Sequence, residues 1–161
     1  MKDDQGVWNF FFAVFFAAVF AGAGFLLFKL GQLPQSIGLF DLILVILASF
    51  RLTRLFVYDK ITEFVRDWFM RKEVFAGDNG EIIIVRQKFV RGPWRTMHEL
   101  LVCPWCFGIW AALATTFFYY LTPYAWFPIL VLAIAGVGSL LQVLSNMIGW
   151  RAEVLKKKAN E

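Results

Sequence analysis

Apolar residues dominate the chain in four stretches, at 7–28, 37–56, 105–121 and 125–148. Each is close to the ~20 residues that an α-helix needs to cross a bilayer. Between the second and third the pattern changes. Ile61, Phe64, Val65, Trp68 and Phe69 recur at helical spacing, with Lys60, Glu63, Arg66, Asp67 and Arg71 between them. This predicts an amphipathic helix suited to a membrane surface, with Ile61, Phe64 and Trp68 on its apolar face. Short apolar runs around Gly77-Asp78-Asn79-Gly80 then predict a β-hairpin within 73–90. Its run Ile82, Ile83, Ile84, Val85 does not alternate, so both faces are expected to be covered by a second copy or a partner protein. Pro93 opens a short helix that carries His98 and Glu99 toward the third stretch.

Polar positions inside the apolar stretches refine this picture. The first stretch is too long for the apolar region of a signal peptide, so a retained helix is expected. Its Ala17, Ala18, Ala21, Gly22 and Gly24 would let another helix approach closely. The second contains Asp41 and Arg51. Ten residues of helix span about 15 Å, whereas the hydrocarbon core is about 30 Å thick, so the two cannot sit at opposite interfaces. Pairing of Asp41 with Lys29 across the short outer loop is the simpler expectation; a carboxylate facing an intramembrane cavity is the other. In the fourth stretch Ser139, Gln142 and Asn146 share one face, continued by Ala135. Such a stripe hydrogen-bonds to a neighbouring helix or lines a water-filled path.

Composition sets the class. Hydrophobic residues make up 60% of the chain and charged ones 17%. Soluble domains sit near ~45–50% and ~25%, so the excess belongs to lipid-facing surface. Charge then sets the orientation. If all four stretches cross, fifteen of the sixteen Lys and Arg residues fall on one side, in the N-terminus, the end of the second stretch (Arg51 and Arg54), the 59–102 loop and the 151–161 tail, and Lys29 alone on the other. An excess of Lys and Arg marks the cytoplasmic side. The expected fold is an all-α membrane protein. It has four transmembrane helices, a cytosolic amphipathic helix and a small β-hairpin, in a single membrane domain over 1–161, with both termini cytosolic. The net charge of +4 suits anionic lipid headgroups. Nucleic acid is not an expected partner, since acidic residues interleave with the basic ones and no recognition motif is present.

Two clusters could carry chemistry. Cys103-Pro104-Trp105-Cys106 places two thiols on one face at a helix start, the arrangement of a dithiol redox pair. With His98 the two thiols would supply three ligands, so zinc is the cofactor that these residue types would suit, although none is required. Simple packing of reduced thiols at the inner end of the third stretch is the main expectation, because that compartment is reducing. The second cluster is Arg51, Arg54 and Tyr58 on one helix face, followed by Asp59. Guanidinium groups at headgroup depth suit a phosphate or a carboxylate, with Asp59 and Glu99 as the nearest partners. Without partners they are anchors that snorkel to the interface. No nucleotide, metalloprotease or hydrolase motif accompanies them, so binding is expected rather than catalysis.

Arg51–Thr62, reading R-L-T-R-L-F-V-Y-D-K-I-T, and Glu99–Trp110, reading E-L-L-V-C-P-W-C-F-G-I-W, together resemble a family of small bacterial and phage membrane proteins of unknown function, one branch of which is linked to sporulation. The resemblance covers the second and third stretches and the ends of the loop between them. It implies that Arg51, Arg54, Asp59, Cys103, Pro104, Trp105, Cys106 and Gly108 matter to the family, and a bacterial cytoplasmic membrane as the location. It implies no reaction. The expected role is a self-associating scaffold that offers the 73–90 hairpin to a cytosolic protein. A holin-like or channel-forming oligomer, and a dithiol redox or metal-binding protein, are the alternatives.

Overall fold

A computed structural model of the chain describes residues 3–33, 36–76 and 82–159. The order of elements is α1 (Asp3–Lys29), α2 (Leu39–Val57), α3 (Glu63–Asp67), β1 (Met70–Ala76), β2 (Ile82–Lys88), α4 (Pro93–Val102), α5 (Pro104–Leu121) and α6 (Trp126–Ala159). Single 3₁₀ turns lead into α3 and α6. The two strands pair antiparallel, Met70 opposite Lys88 through Ala76 opposite Ile82. The expected Gly77-Asp78-Asn79-Gly80 turn lies outside the described residues, as do Pro34, Lys2 and the side chains of Ile82, Ile83, Ile84 and Val85.

Two helices are long and apolar enough to cross a membrane, Gln5–Lys29 and Pro123–Lys158. The α4–α5 pair joins them as a third if it is taken as one span, bent by 81°. The bend falls at Cys103, whose backbone is extended between two helices, and Pro104 cannot donate to the preceding turn. α2 stands apart because Asp41, Arg51 and Arg54 lie within its nineteen residues. It is also the central helix, packed along both α5 and α6. A helix enclosed on two sides needs less lipid-facing apolar surface than one at the rim. α1 is that rim helix, with only 6% of its apolar window buried.

The core is small and built on α2. Leu44 and Ala48 pack against Ile129 and Ala133, with Leu47 and Tyr119 closing around them. All four central residues repeat at a spacing of four, which stacks them on facing helix stripes. Next along the contact, Gly136 lies against the α2 backbone. A Cβ at that position would come 2.5 Å from the Leu47 carbonyl oxygen. On the other flank the Ser49 and Thr115 hydroxyls meet at 2.6 Å, and Thr115 also donates to the Ala111 carbonyl. Phe56 stacks on Phe107.

These contacts make α2 parallel to α6 and antiparallel to α5. One end of the bundle therefore collects the C-terminus of α2, the N-terminus of α5 and the distal part of α6. α1 joins the same end through its first turns. Gln5 donates to Thr96 at 2.8 Å and accepts from the Gly92 backbone at 3.0 Å, and Thr96 donates to Asn9 at 2.9 Å. Further along, Phe16 packs against Trp110, the rings tilted by 47° with centroids 4.2 Å apart. Gly92 has φ of 95°, a conformation that a Cβ would strain, and it delivers the chain into Pro93 at the first turn of α4. This is the basic end, carrying Arg51, Arg54, Arg66, Arg95 and Arg151; Lys29 closes α1 at the other.

One expectation about elements needs correction. The continuous amphipathic helix from Lys60 to Arg71 is instead a 3₁₀ turn, the five residues of α3, and then β1 from Met70. The cause is local. The Thr62 hydroxyl turns back to the Leu55 and Asp59 carbonyls at the end of α2, which stops a regular helix from starting at Lys60. α6 itself continues without a break to Ala159, so the expected 151–161 tail is helical as far as that residue.

Candidate functional site

The last turn of α2 leaves carbonyl groups without helical partners. Arg66, which the sequence pattern places on the polar face of a surface helix, reaches back to satisfy them. Its guanidinium donates to the Phe56 carbonyl and, at 2.9 Å, to the Asp59 carbonyl. A cation there also faces the negative end of the helix dipole. This capping fixes the turn after Tyr58, and the fixed turn aims Asp59 back along α2. There the Asp59 carboxylate meets the Arg51 guanidinium at 2.9 Å, with both side chains roughly a quarter exposed, 30% and 22%.

Arg54, one turn further along α2, has a different environment. Its guanidinium lies over the Tyr58 ring at 5.4 Å and the Phe50 ring at 6.0 Å. Among the described residues it forms no ion pair. Glu99, expected as its partner, is bound to Arg95 at 2.8 Å instead. That pair lies four residues apart on α4, so local geometry outcompetes the longer reach.

A groove of about 400 Å³ runs from these groups to α6. Its walls are Arg51, Arg54 and Asp59 on one side and Ala135, Gly138, Ser139, Gln142, Val143 and Asn146 on the other. The arginine cluster and the polar stripe, separate in the sequence pattern, thus face one another. Ser139 donates to the Ala135 carbonyl at 2.9 Å, and Gln142 donates to Asn146 at 3.1 Å. Gln142 and Asn146 are exposed. Guanidinium groups opposite amide and hydroxyl groups can receive an anion or a polar peptide segment.

The thiol pair sits beside this region at the start of α5. Both cysteines are free. Cys103 caps the helix, its sulfur accepting from the Cys106 backbone N–H at 3.3 Å. The Cys106 side chain and this backbone contact hold the Cys103 thiol below its ordinary pKa. His98 does not join them. Among the described residues no three His, Cys, Asp or Glu side chains gather closely enough for a metal ion, so the alternative His98–Cys103–Cys106 ligand set is not brought together. The 81° bend at Cys103 turns α4, and His98 with it, away from the axis of α5. His98 is buried, 1% exposed, and neither ring nitrogen has a well-formed hydrogen bond. Burial, followed by the nearby charge of Lys88, lowers its pKa, and the Arg66 backbone and Glu99 oppose that only in part.

The outer pair is also corrected. Lys29 lies over the Phe25 ring at 5.5 Å, one turn back on its own helix, and Asp41 lies beside Tyr119 of α5. On the surface, Ile61, Phe64 and Trp68 are exposed as expected, Trp68 at 70%, with the Phe64 and Trp68 rings edge to face. The polar clip of Gln5, Asn9 and Thr96 is invisible in the sequence pattern, since isolated polar residues 87 or 91 positions apart carry no periodic signal.

A family described as "Protein of unknown function (DUF1360)" matches residues 44–145, which contain the arginine cluster, the thiol pair and most of the α6 stripe. The chain belongs to this family. It is 39% identical to UPF0713 protein YngL of Bacillus subtilis (strain 168) over 115 residues, 71% of this chain and 85% of that protein. It is 35% identical to sporulation protein YjcA of the same organism over 108 residues, 64% of this chain and 88% of that protein. No solved structure matches.

Proposed function

We infer that the chain is a four-pass protein of the bacterial cytoplasmic membrane that acts by binding, as a scaffold. α1, α2, α5 and α6 cross the membrane, and α3, the hairpin and α4 form a platform on the cytosolic face. The observation that carries this reading is the segregation of charge. The packing brings Arg51, Arg54, Arg66, Arg95 and Arg151 to one end of the bundle, and the exposed aromatic residues of α3 lie at the same end. That is the arrangement expected of a cytosolic interface. The turning of the α6 stripe toward the chain's own arginines favours recognition over a conduction path. The apolar surface left open on α1 supports association with further copies. The sporulation protein among the relatives suggests a role in sporulation.

Orientation is the test. C-terminal fusions to a fluorescent protein are expected to glow and fusions to alkaline phosphatase to be inactive; the reverse pattern rejects the four-pass arrangement. Cross-linking in membranes is expected to yield dimers or larger species, and a strictly monomeric ladder rejects self-association. The hydrogen-bonded thiol pair favours one second reading, dithiol redox exchange. Redox titration of the purified protein tests it, and absence of a reversible Cys103–Cys106 disulfide rejects it.

A further inference from the structure

Arg54 forms the wall between two grooves. Besides the polar one toward α6, a second groove of about 480 Å³ lies between α2 and α5, bordered by Phe50, Thr53, Arg54, Tyr58, Trp105 and Gly108. Its volume is in the range of small-molecule sites. Apart from Arg54 and the Tyr58 hydroxyl, its polar groups are turned inward. Thr53 donates to the Ser49 carbonyl, and Ser49 to the Val45 carbonyl. Gly108 keeps the α5 wall low, with only the Thr53 hydroxyl within 4 Å of where a Cβ would stand. Trp105 is 84% exposed at the rim, and Tyr58 is 57% exposed.

We propose that this groove binds one anionic phospholipid, of the phosphatidylglycerol type, with its phosphate on Arg54 and an acyl chain along the Phe50–Gly108 wall. The argument is charge complementarity joined to shape. Arg51 is neutralised by Asp59, whereas Arg54 has no carboxylate among the described residues and is held in place by two aromatic rings. Both rings lie near the guanidinium carbon, and a ring contact leaves the N–H fork free to bind an anion, for which its planar geometry is suited. The positive end of the α5 dipole, at Pro104 and Trp105, opens onto the same groove. Trp105 and Tyr58 are the residue types that settle at headgroup level. A free phosphate would satisfy Arg54 but leave the apolar wall to water; a lipid satisfies both. The proposal rests on the reading that α2 crosses the membrane with Arg54 at its cytosolic surface.

The test uses the full-length protein in detergent, with phosphatidylglycerol, phosphatidylethanolamine or glycerol 3-phosphate added, read by native mass spectrometry and by melting temperature. The wild type is expected to retain one phosphatidylglycerol in preference to phosphatidylethanolamine and to melt higher with it. Arg54→Gln is expected to lose about tenfold in apparent affinity, the loss of one charge-assisted contact. Arg54→Lys should keep part of the preference, and Gly108→Leu should abolish lipid retention by filling the groove with Arg54 intact. Size-exclusion profiles show which variants remain folded. Undiminished phosphatidylglycerol preference in folded Arg54→Gln and Gly108→Leu overturns the proposal. Glycerol 3-phosphate protecting as well as the lipid also overturns it, in favour of a free-anion site. The reporter fusions read orientation independently, so inverted fusions reject the membrane reading, and correct fusions without lipid preference reject the lipid site alone.

Discussion

Arg51 and Arg54 stand three residues apart on one helix, yet among the described residues only Arg51 meets a carboxylate. What separates them is the turn after α2, held by Arg66 and Thr62, which returns the Asp59 carboxylate to Arg51. The cluster was legible in the sequence because the two arginines, Tyr58 and Asp59 are close along the chain. The partner choice of Glu99 was not, because it depends on Arg95 one turn earlier. Replacing Arg51 or Asp59 with Ala should each lower stability, and the double variant should lose less than the sum. A coupling of about 1–2 kcal/mol is expected for a pair that is only partly exposed. Thermal denaturation in detergent measures it, and strict additivity would show the contact to be incidental. His98 gives a pH prediction. Its folded pKa lies below the unfolded value of about 6.5. Above that value both states are neutral and the group contributes nothing to pH dependence. As pH falls below it the unfolded state takes up the proton first, so stability drops until the folded pKa is passed. His98→Phe should flatten this acid slope, and an unchanged slope would assign it to other groups.

Helices announce themselves through apolar runs, and here all four long helices begin within three or four residues of where the hydropathy pattern starts them. Contacts between elements are harder to foresee, because they depend on which small residue faces which backbone. The small residues of α1 have the pattern of a packing face, yet Gly22 and Gly24 have nothing within 4 Å of where a Cβ would stand, and the close approach is made by Gly136 of α6. Gly136→Ala should force α2 and α6 apart and cost about 1–3 kcal/mol, the usual range for overpacking. Gly138→Ala, two residues on with open space around it, should stay within about 0.5 kcal/mol. Equal melting temperatures for the two variants would mean that the α2–α6 contact yields without strain. The break before α3 was hidden for a related reason. Thr62 and Arg66 satisfy the amphipathic pattern while serving the end of another helix.

At the scale of the molecule, lengths are uneven. The nineteen residues of α2 extend about 28 Å, whereas the thirty-four of α6 extend about 51 Å, well beyond a hydrocarbon core of about 30 Å. In the four-pass reading the excess leaves the membrane at the basic end as unbroken helix through Arg151 to Lys158. As a free peptide a segment of that length would not hold helical form in water, because starting a helix is the costly step and about 12–15 residues are needed to outweigh it. Here the first turns are already formed inside the bundle, so the exposed turns add by propagation alone. Glu153 and Lys157, 3.6 Å apart and in the favourable order, assist them. Amide exchange should therefore show protection that decays gradually from Ile148 toward Lys158, while a synthetic 147–159 peptide shows none. Disrupting the helix upstream, with Gly149→Pro, should release the segment beyond it, and a Lys-rich end that stayed protected would have to be held by something other than its own continuity with α6. The part of α6 packed in the bundle thus serves as a nucleus for the turns beyond it, and Lys156, Lys157 and Lys158 are presented on helix that is already formed.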